Sequence, residues 1–156
     1  MIEGRLPPTR NVHGPARFFS ALAPRLFSAS EQGRPISNIV ENLRDLVLAP
    51  PLQRERFHVV FLDEHRQFLG SAAIGLGRID SLSFSMRELF QRALAIEARA
   101  MVMAHSHLSG DCRPSHNDNE FTSRILEVAN CLNIELIDHL IFTKSRVYSM
   151  RKGGLL

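Results

Sequence analysis

Cysteine, tryptophan and tyrosine are scarce in this chain, whose 156 residues include two cysteines, one tyrosine and no tryptophan. Cys112 and Cys131 do not form a Cys-x-x-Cys pair, and two isolated cysteines do not make a disulfide framework. Reduced thiols, and with them a cytoplasmic location, are the simpler expectation. No apolar run reaches the ~18 residues that a membrane-spanning helix needs, so the sequence predicts no membrane partner.

Runs of like charge are missing as well. The chain has 19 lysines and arginines against 16 acidic residues, a formal net charge of +3 and a sequence pI of about 9.4. No block of lysine and arginine marks a nucleic-acid-binding arm. We therefore expect a mixed, solvated surface, and nucleic acid stays a weakly supported alternative partner.

Residues 1–34 and residues 35–156 differ in pattern. The first region has scattered prolines and glycines and one apolar patch, which favours a poorly ordered lead-in. The second alternates helical spacing with short β-branched runs, which predicts one α/β domain with a sheet flanked by helices. The predicted helices cover about 35–47, 85–99 and 115–132, and the predicted strands cover 56–62, 67–79, 100–104, 134–142 and 147–150.

The segment from His105 to Asp118 carries the chemistry. His105 and His107 follow a predicted buried strand at spacing i and i+2, and residues two apart on an extended chain point the same way. Asp118 lies in the first turn of the next predicted helix, after a loop that can fold back. Two imidazoles and one carboxylate are the ligands of a catalytic zinc site with a fourth position open for water, whose pKa the metal lowers. We therefore predict Zn²⁺ at His105, His107 and Asp118.

A hydrolytic site also needs a proton acceptor, and Glu55 is the candidate. It precedes strand 56–62, which could lie beside the strand that ends at His105. An unligated carboxylate there would take a proton from water and pass it to the leaving group. The simpler interpretation is a solvated charge between Arg54 and Arg56.

Ser115 is the second candidate for a catalytic role. Its hydroxyl could donate to the oxyanion of a tetrahedral intermediate. The same spacing is typical of helix capping, with Ser115 at the N-cap and Asp118 in the first turn, and one residue can do both. We interpret Cys112 as an exposed bystander and Cys131 as a small buried side chain. The histidines without partners at ligand spacing are interpreted as structural: His58, His65 and His139.

His105-x-His107, then seven residues, Ser115, two residues and Asp118 reproduce the JAMM motif, with Glu55 upstream of a hydrophobic strand. Within the JAMM/MPN+ proteins, residues 36–156 resemble the RadC family of bacteria. The further similarity lies in Arg54-Glu55-Arg56-Phe57 followed by VVFLD, in Arg87-Glu88-Leu89-Phe90 with Arg92-Ala93-Leu94, in Asp138-His139-Leu140-Ile141 and in Tyr148-Ser149-Met150. The family usually has Asn and Pro where this chain has Ser106 and Leu108, which affects the expected loop shape more than metal binding.

The resemblance implies an MPN/JAB-like (cytidine-deaminase-like) fold with a mixed sheet flanked by helices over residues 35–156. It also implies zinc on the three ligands, with Glu55 as general base and Ser115 as oxyanion donor. Relatives of known activity cut peptide or isopeptide bonds, so we expect a zinc-dependent hydrolase with a peptide or protein substrate.

Two alternatives stay open. RadC proteins carry a DNA-repair label, and a nucleic-acid-binding or processing protein predicts salt-sensitive DNA binding. Residues 1–34 are too short for the helix-hairpin-helix module of longer RadC proteins, which weakens that alternative. The other is a non-catalytic MPN interaction module. Such modules usually lose the histidines that this chain keeps.

Overall fold

The computed structural model describes residues 39–76 and 86–156. The predicted lead-in over 1–34, the start of the first helix at Pro35 and the end of the second strand near residue 79 lie outside these residues. The described helices are α1 (Ile39–Leu48), α2 (Met86–Ala95) and α3 (His116–Cys131). The described strands are β1 (Arg56–Leu62), β2 (Phe68–Leu76), β3 (Ala100–Ser106), β4 (Glu135–Phe142) and β5 (Val147–Ser149). Within the described ranges, no helix has the length and apolar character needed to cross a membrane.

The strands form one mixed sheet in the order β2-β1-β3-β4-β5. β1 pairs antiparallel with both β2 and β3, β3 pairs parallel with β4, and β5 pairs antiparallel with β4. Parallel neighbours need a crossover connection, and helix α3 supplies it between β3 and β4. The predicted α/β class with a mixed sheet is confirmed.

Side chains alternate between the two faces of the sheet, and each face has its own core. Met101 and Met103 on β3 pack with α2 and α3, whereas Val102 and Ala104 pack with α1 on the other face. All seven residues of β3 are buried, as the uninterrupted apolar run predicted. Each buried methionine contributes about 1.5–3 kcal/mol to folding, so β3 is anchored from both sides and rigidly supports the histidines at its carboxyl end.

Strand β3 runs two residues further than the predicted 100–104, through His105 to Ser106. Pairing explains the extension, because Ser106 still pairs with Phe142 of β4. The hydroxyl of Ser106 also accepts a hydrogen bond from the backbone N–H of Arg56 at 3.0 Å, which ties β3 to the start of β1. His105 is therefore held inside the sheet rather than on a loop.

Helix α2 is shorter than predicted, since it ends at Ala95 and not near Arg99. Glu97 adopts the left-handed conformation with φ of 56°, and the N–H of Ala98 donates to the carbonyl of Ala93 at 2.9 Å. This is a helix-terminating turn that usually has glycine at the left-handed position. With glutamate there, the sequence does not show where the helix ends.

Cys131 was predicted to be buried, and this prediction is wrong, because its side chain is exposed. The buried positions of helix α3 are Asp118, Thr122, Ile125 and Ala129. Cys131 lies two residues beyond Ala129, which is about 200° further around the helix, so its side chain faces solvent.

Candidate metal centre

The carboxyl end of β3 brings three of the predicted site residues together. His105 is the second-to-last residue of β3, His107 follows the strand directly, and Asp118 lies in the first turn of α3. One ligand atom from each of these residues lies within 4.8 Å of the other two. The exposed fraction is 1% for the side chains of His105 and Asp118 and 11% for that of His107, so one ligand faces solvent. Such a group is able to hold a metal ion and leave it accessible.

The atoms that converge are imidazole nitrogens and carboxylate oxygens, which have lone pairs that can bind a cation. Nε2 of His105 and Nε2 of His107 lie 2.8 Å apart. Oδ1 and Oδ2 of Asp118 each lie 3.2 Å from one of these nitrogens. Nitrogens and carboxylate oxygens at such distances repel unless a cation or a proton lies among them. The donor set therefore fits a divalent metal ion of the kind that binds imidazole and carboxylate.

The two oxygens of Asp118 have different surroundings. Oδ2 accepts hydrogen bonds from the backbone N–H and the hydroxyl of Ser115, both at 2.7 Å. Oδ1 is buried and, within residues 39–76 and 86–156, has no hydrogen-bond partner. A buried carboxylate oxygen without a donor is costly, so Oδ1 is the atom that a bound cation would satisfy.

Asp118 is ionised in this environment. Burial opposes ionisation of the carboxyl, but the adjacent imidazoles of His105 and His107 and the hydrogen bond from Ser115 outweigh it and hold its pKa well below the usual value. The pKa of His107 is raised, chiefly by the hydrogen bond to Asp118, with partial burial opposing and the Asp118 and Glu55 charges adding to it. His107 therefore holds a proton more tightly than an ordinary imidazole does, and Asp118 is the main reason.

Glu55 lies beside this group, just before β1. In the antiparallel register of β1 and β3, Phe57 pairs with His105, and Glu55, two residues before Phe57, lies near enough to His107 for its charge to act on that ring. Its carboxylate contributes to the raised pKa of His107, and the residue is half-buried. Glu55 is not one of the three residues whose ligand atoms converge. A carboxylate near the metal position, without being a ligand, has the placement that a general base needs.

Ser115 is the N-cap of helix α3, as the capping interpretation predicted. Its hydroxyl oxygen accepts from the N–H of Asp118 at 3.1 Å, and Asp118 in turn accepts from the N–H of Ser115, which completes a capping box. The hydroxyl proton points to Oδ2 of Asp118. Donation to an oxyanion would require this proton to turn away from Asp118.

His139 is a residue whose place the sequence interpretation missed. It was interpreted as structural, but its Nε2 lies 2.7 Å from Nδ1 of His105, and it is fully buried. Ile141 pairs with His105 across the parallel strands, and His139 is two residues earlier on the same face. Burial lowers the pKa of His139 well below its usual value, so the ring is neutral. Parallel register across a helical crossover cannot be read from a sequence, which hid this contact.

An aromatic wall completes the buried side of the centre. The ring of Phe57 stacks on His105 with centroids 5.8 Å apart and planes at 10°. The same ring meets His139 at 5.4 Å and 62°. Phe57 therefore fixes both imidazole planes and shields the inner histidines from water. By contrast, His116 is 85% exposed and lies 3.5 Å from Glu120, away from the group.

Comparison with known proteins agrees with this geometry. The sequence model of the family described as "RadC-like JAB domain" matches residues 36–155. The chain is 36% identical over 105 residues to the UPF0758 protein YkfG of Escherichia coli, covering 67% of this chain and 66% of that protein. It is 33% identical over 137 residues to a UPF0758 protein of Desulfitobacterium hafniense, covering 86% of this chain and 60% of the relative. It is 37% identical over 125 residues to the UPF0758 protein NTHI1125 of Haemophilus influenzae, covering 78% of this chain and 56% of the relative.

The chain thus spans less than two thirds of the length of these relatives. The match to the family nevertheless covers most of the chain and includes every strand and helix that the structure describes. The five-stranded mixed sheet with its helices agrees with the JAB/MPN-like fold expected from the sequence. With the family model matched over residues 36–155, the chain belongs to the RadC family of JAB-domain proteins.

Proposed function

We propose that this chain is a zinc-dependent hydrolase that cleaves a peptide or isopeptide bond. The observation that carries the proposal is the convergence of two imidazole nitrogens on a buried, ionised carboxylate, with the charge of Glu55 acting on His107. Membership of a JAB-domain family supports a metal-dependent hydrolytic chemistry. The proposal assigns His105, His107 and Asp118 as ligands, Glu55 as general base and Ser115 as oxyanion donor.

Zinc suits this donor set, since two imidazoles and one carboxylate are a known catalytic zinc combination that keeps one coordination position open. When bound, it would polarise the carbonyl and lower the pKa of water in the site. The partly exposed ring of His107 leaves a path to solvent for both water and substrate.

The protein's own groups then move the protons. Glu55 accepts a proton from the attacking water while the water oxygen bonds to the carbonyl carbon. The hydroxyl of Ser115 turns from Asp118 and donates to the oxygen that becomes negative. Glu55 passes its proton to the leaving nitrogen as the C–N bond breaks, which yields a carboxylic acid and an amine. Every proton taken from water is thus returned to a product.

Metal content tests the proposal directly. We expect elemental analysis of protein purified without chelators to find about one zinc per chain, and none in His107→Ala. His116→Ala is the matched control, because His116 is exposed and contacts only Glu120 among its described partners, so it should keep the zinc. A native protein that holds no zinc even after reloading would overturn the proposal and favour the interaction-module alternative. With zinc present, peptide and isopeptide substrates can be screened.

Ser115→Ala separates capping from catalysis. Loss of the N-cap is expected to lower the free energy of unfolding by about 1 kcal/mol. Loss of the oxyanion donor is expected to lower kcat by about 10²- to 10³-fold without removing the metal. Urea unfolding and initial rates on a cleaved substrate measure the two effects.

Ser109→Ala is the control for that variant, because the Ser109 hydroxyl lies in the same loop and contacts only the N–H of Asp111, at 3.4 Å, within the described residues. It should change neither quantity. A kcat of Ser115→Ala within about threefold of the wild type would leave Ser115 as a cap alone.

A further inference from the structure

A buried chain of hydrogen bonds runs from His105 away from the metal centre. Nδ1 of His105 lies 2.7 Å from Nε2 of His139. Nδ1 of His139 lies 2.7 Å from the hydroxyl oxygen of Thr122. That hydroxyl lies 2.6 Å from the backbone carbonyl oxygen of Asp118. This series of hydrogen bonds therefore starts at one predicted ligand, His105, and ends at the backbone carbonyl of another, Asp118.

The far end of this series of hydrogen bonds favours one direction. A carbonyl oxygen can only accept, so the hydroxyl of Thr122 donates to Asp118. The sulfur of Met150, 3.5 Å from the same hydroxyl, is also only an acceptor. The oxygen of Thr122 is then free to accept from His139, which places the proton of His139 on Nδ1.

The same reasoning continues to the metal centre. With its proton on Nδ1, the neutral ring of His139 has a lone pair on Nε2 and accepts a hydrogen bond there. Nδ1 of His105 is the only group within hydrogen-bond distance of that nitrogen among the described contacts, so it donates. A neutral His105 that carries its proton on Nδ1 has its lone pair on Nε2, which is the nitrogen 2.8 Å from His107.

Burial makes this direction costly to reverse. His139 is fully buried, and the exposed fractions of His105 and Thr122 are both 1%, so water does not replace a lost partner. In the opposite direction, the hydroxyl of Thr122 would have to turn from the Asp118 carbonyl to Nδ1 of His139, and its hydrogen bond to that carbonyl would be lost. The net contribution of one hydrogen bond is about 0.5–1.5 kcal/mol, so its loss biases His105 towards the Nδ1–H tautomer.

We propose that Thr122 and His139 are positioning residues that hold His105 as the Nδ1–H tautomer and so present Nε2 to the metal. Histidine ligands generally donate their second N–H to a carboxylate, a carbonyl or water, and here another imidazole takes that place. The ring of His107 is oriented by a direct contact instead, because its Nδ1 donates to the carbonyl oxygen of Asp111 at 2.8 Å. The metal part of this inference rests on the proposed function, whereas the tautomer of His105 does not.

Thr122→Val tests the inference, with Thr122→Ser as the matched control. Valine keeps the shape but removes the hydroxyl, so His139 loses its acceptor and moves its proton to Nε2, which then donates to His105. Long-range proton–nitrogen NMR of metal-free protein with ¹⁵N-labelled histidine should report Nδ1–H for His105 in the wild type and in Thr122→Ser. It should report Nε2–H in Thr122→Val. Zinc affinity, measured by competition with a chelator, should fall about 10- to 100-fold in Thr122→Val only.

Two outcomes are decisive. An unchanged His105 tautomer in Thr122→Val, or wild-type zinc affinity in that variant, would overturn the inference while leaving the proposed function intact. Failure of the wild type to bind zinc, with the expected tautomers in metal-free protein, would support the hydrogen-bond chain and overturn the proposed function.

If Thr122→Val does not fold, a comparison of His139→Gln with His139→Leu makes the same test. Glutamine offers an acceptor oxygen to His105 and leucine does not, so only the leucine variant should lose Nδ1–H.

Discussion

Glu55→Gln is expected to lower kcat by about 10²- to 10⁴-fold while the protein keeps its full metal content. Glutamine has nearly the shape of glutamate but cannot accept the proton of the attacking water. Glu55 is outside the group of three residues whose ligand atoms converge, so the affinity for zinc should stay within a few-fold of the wild type. Initial rates and elemental analysis on the same preparation measure both quantities.

Glu64→Gln is the matched control for this variant, since Glu64 lies just beyond the opposite end of β1 and is exposed at 72%. It should leave both kcat and zinc content unchanged. A rate for Glu55→Gln within about threefold of the wild type would mean that another group accepts the proton. Loss of zinc from the same variant would instead place Glu55 among the ligands.

Asp118→Asn is expected to lower zinc affinity by more than about 10²-fold, because it removes the negative charge between the two imidazoles. The amide oxygen can still accept from the N–H and hydroxyl of Ser115, so the cap of helix α3 is retained. The amide NH₂ then takes the place of Oδ1, the buried atom without a donor. Chelator competition and thermal unfolding should show lost metal in a folded protein.

Asp111→Asn is the control for this substitution. Asp111 is an acidic residue of the same loop, but its carboxylate pairs with Arg113 at 2.7 Å and not with the histidines. Its carbonyl oxygen, which accepts from His107, is unchanged by the substitution. Zinc bound by Asp118→Asn with wild-type affinity would contradict the assignment of Asp118 as a ligand.

Local patterns were enough to predict the elements that carry the centre. Strand β1 has the predicted bounds of 56–62, because most of its residues are β-branched or aromatic and its neighbours are polar. The spacing of His105 and His107 predicted that both rings would point the same way, and Asp118 lies in the helical turn expected for it. These relations depend on residues close in sequence, which is why they could be read. The peptide or protein substrate, and the nucleic-acid alternative, stay predictions.

Relations between distant segments could not be predicted in the same way. His139 reaches His105 only because β4 pairs with β3 in one particular parallel register after a helical crossover. Thr122 looks like any polar residue of an amphipathic helix until that register is known. The early end of α2 at Ala95 depends on a left-handed glutamate, Glu97, which propensity alone does not indicate.

The two oxygens of Asp118 have separate tasks: Oδ2 accepts the hydrogen bonds of the helix cap, and Oδ1 faces His105. When helix α3 forms, its first turn already sets the rotamer of this side chain, so the entropy of ordering it is lost during folding and not during metal capture. Small zinc fingers behave differently, because they remain unfolded until the ion binds. In this domain the ion would exchange with a preorganised scaffold, and metal occupancy could respond to zinc supply without unfolding the chain.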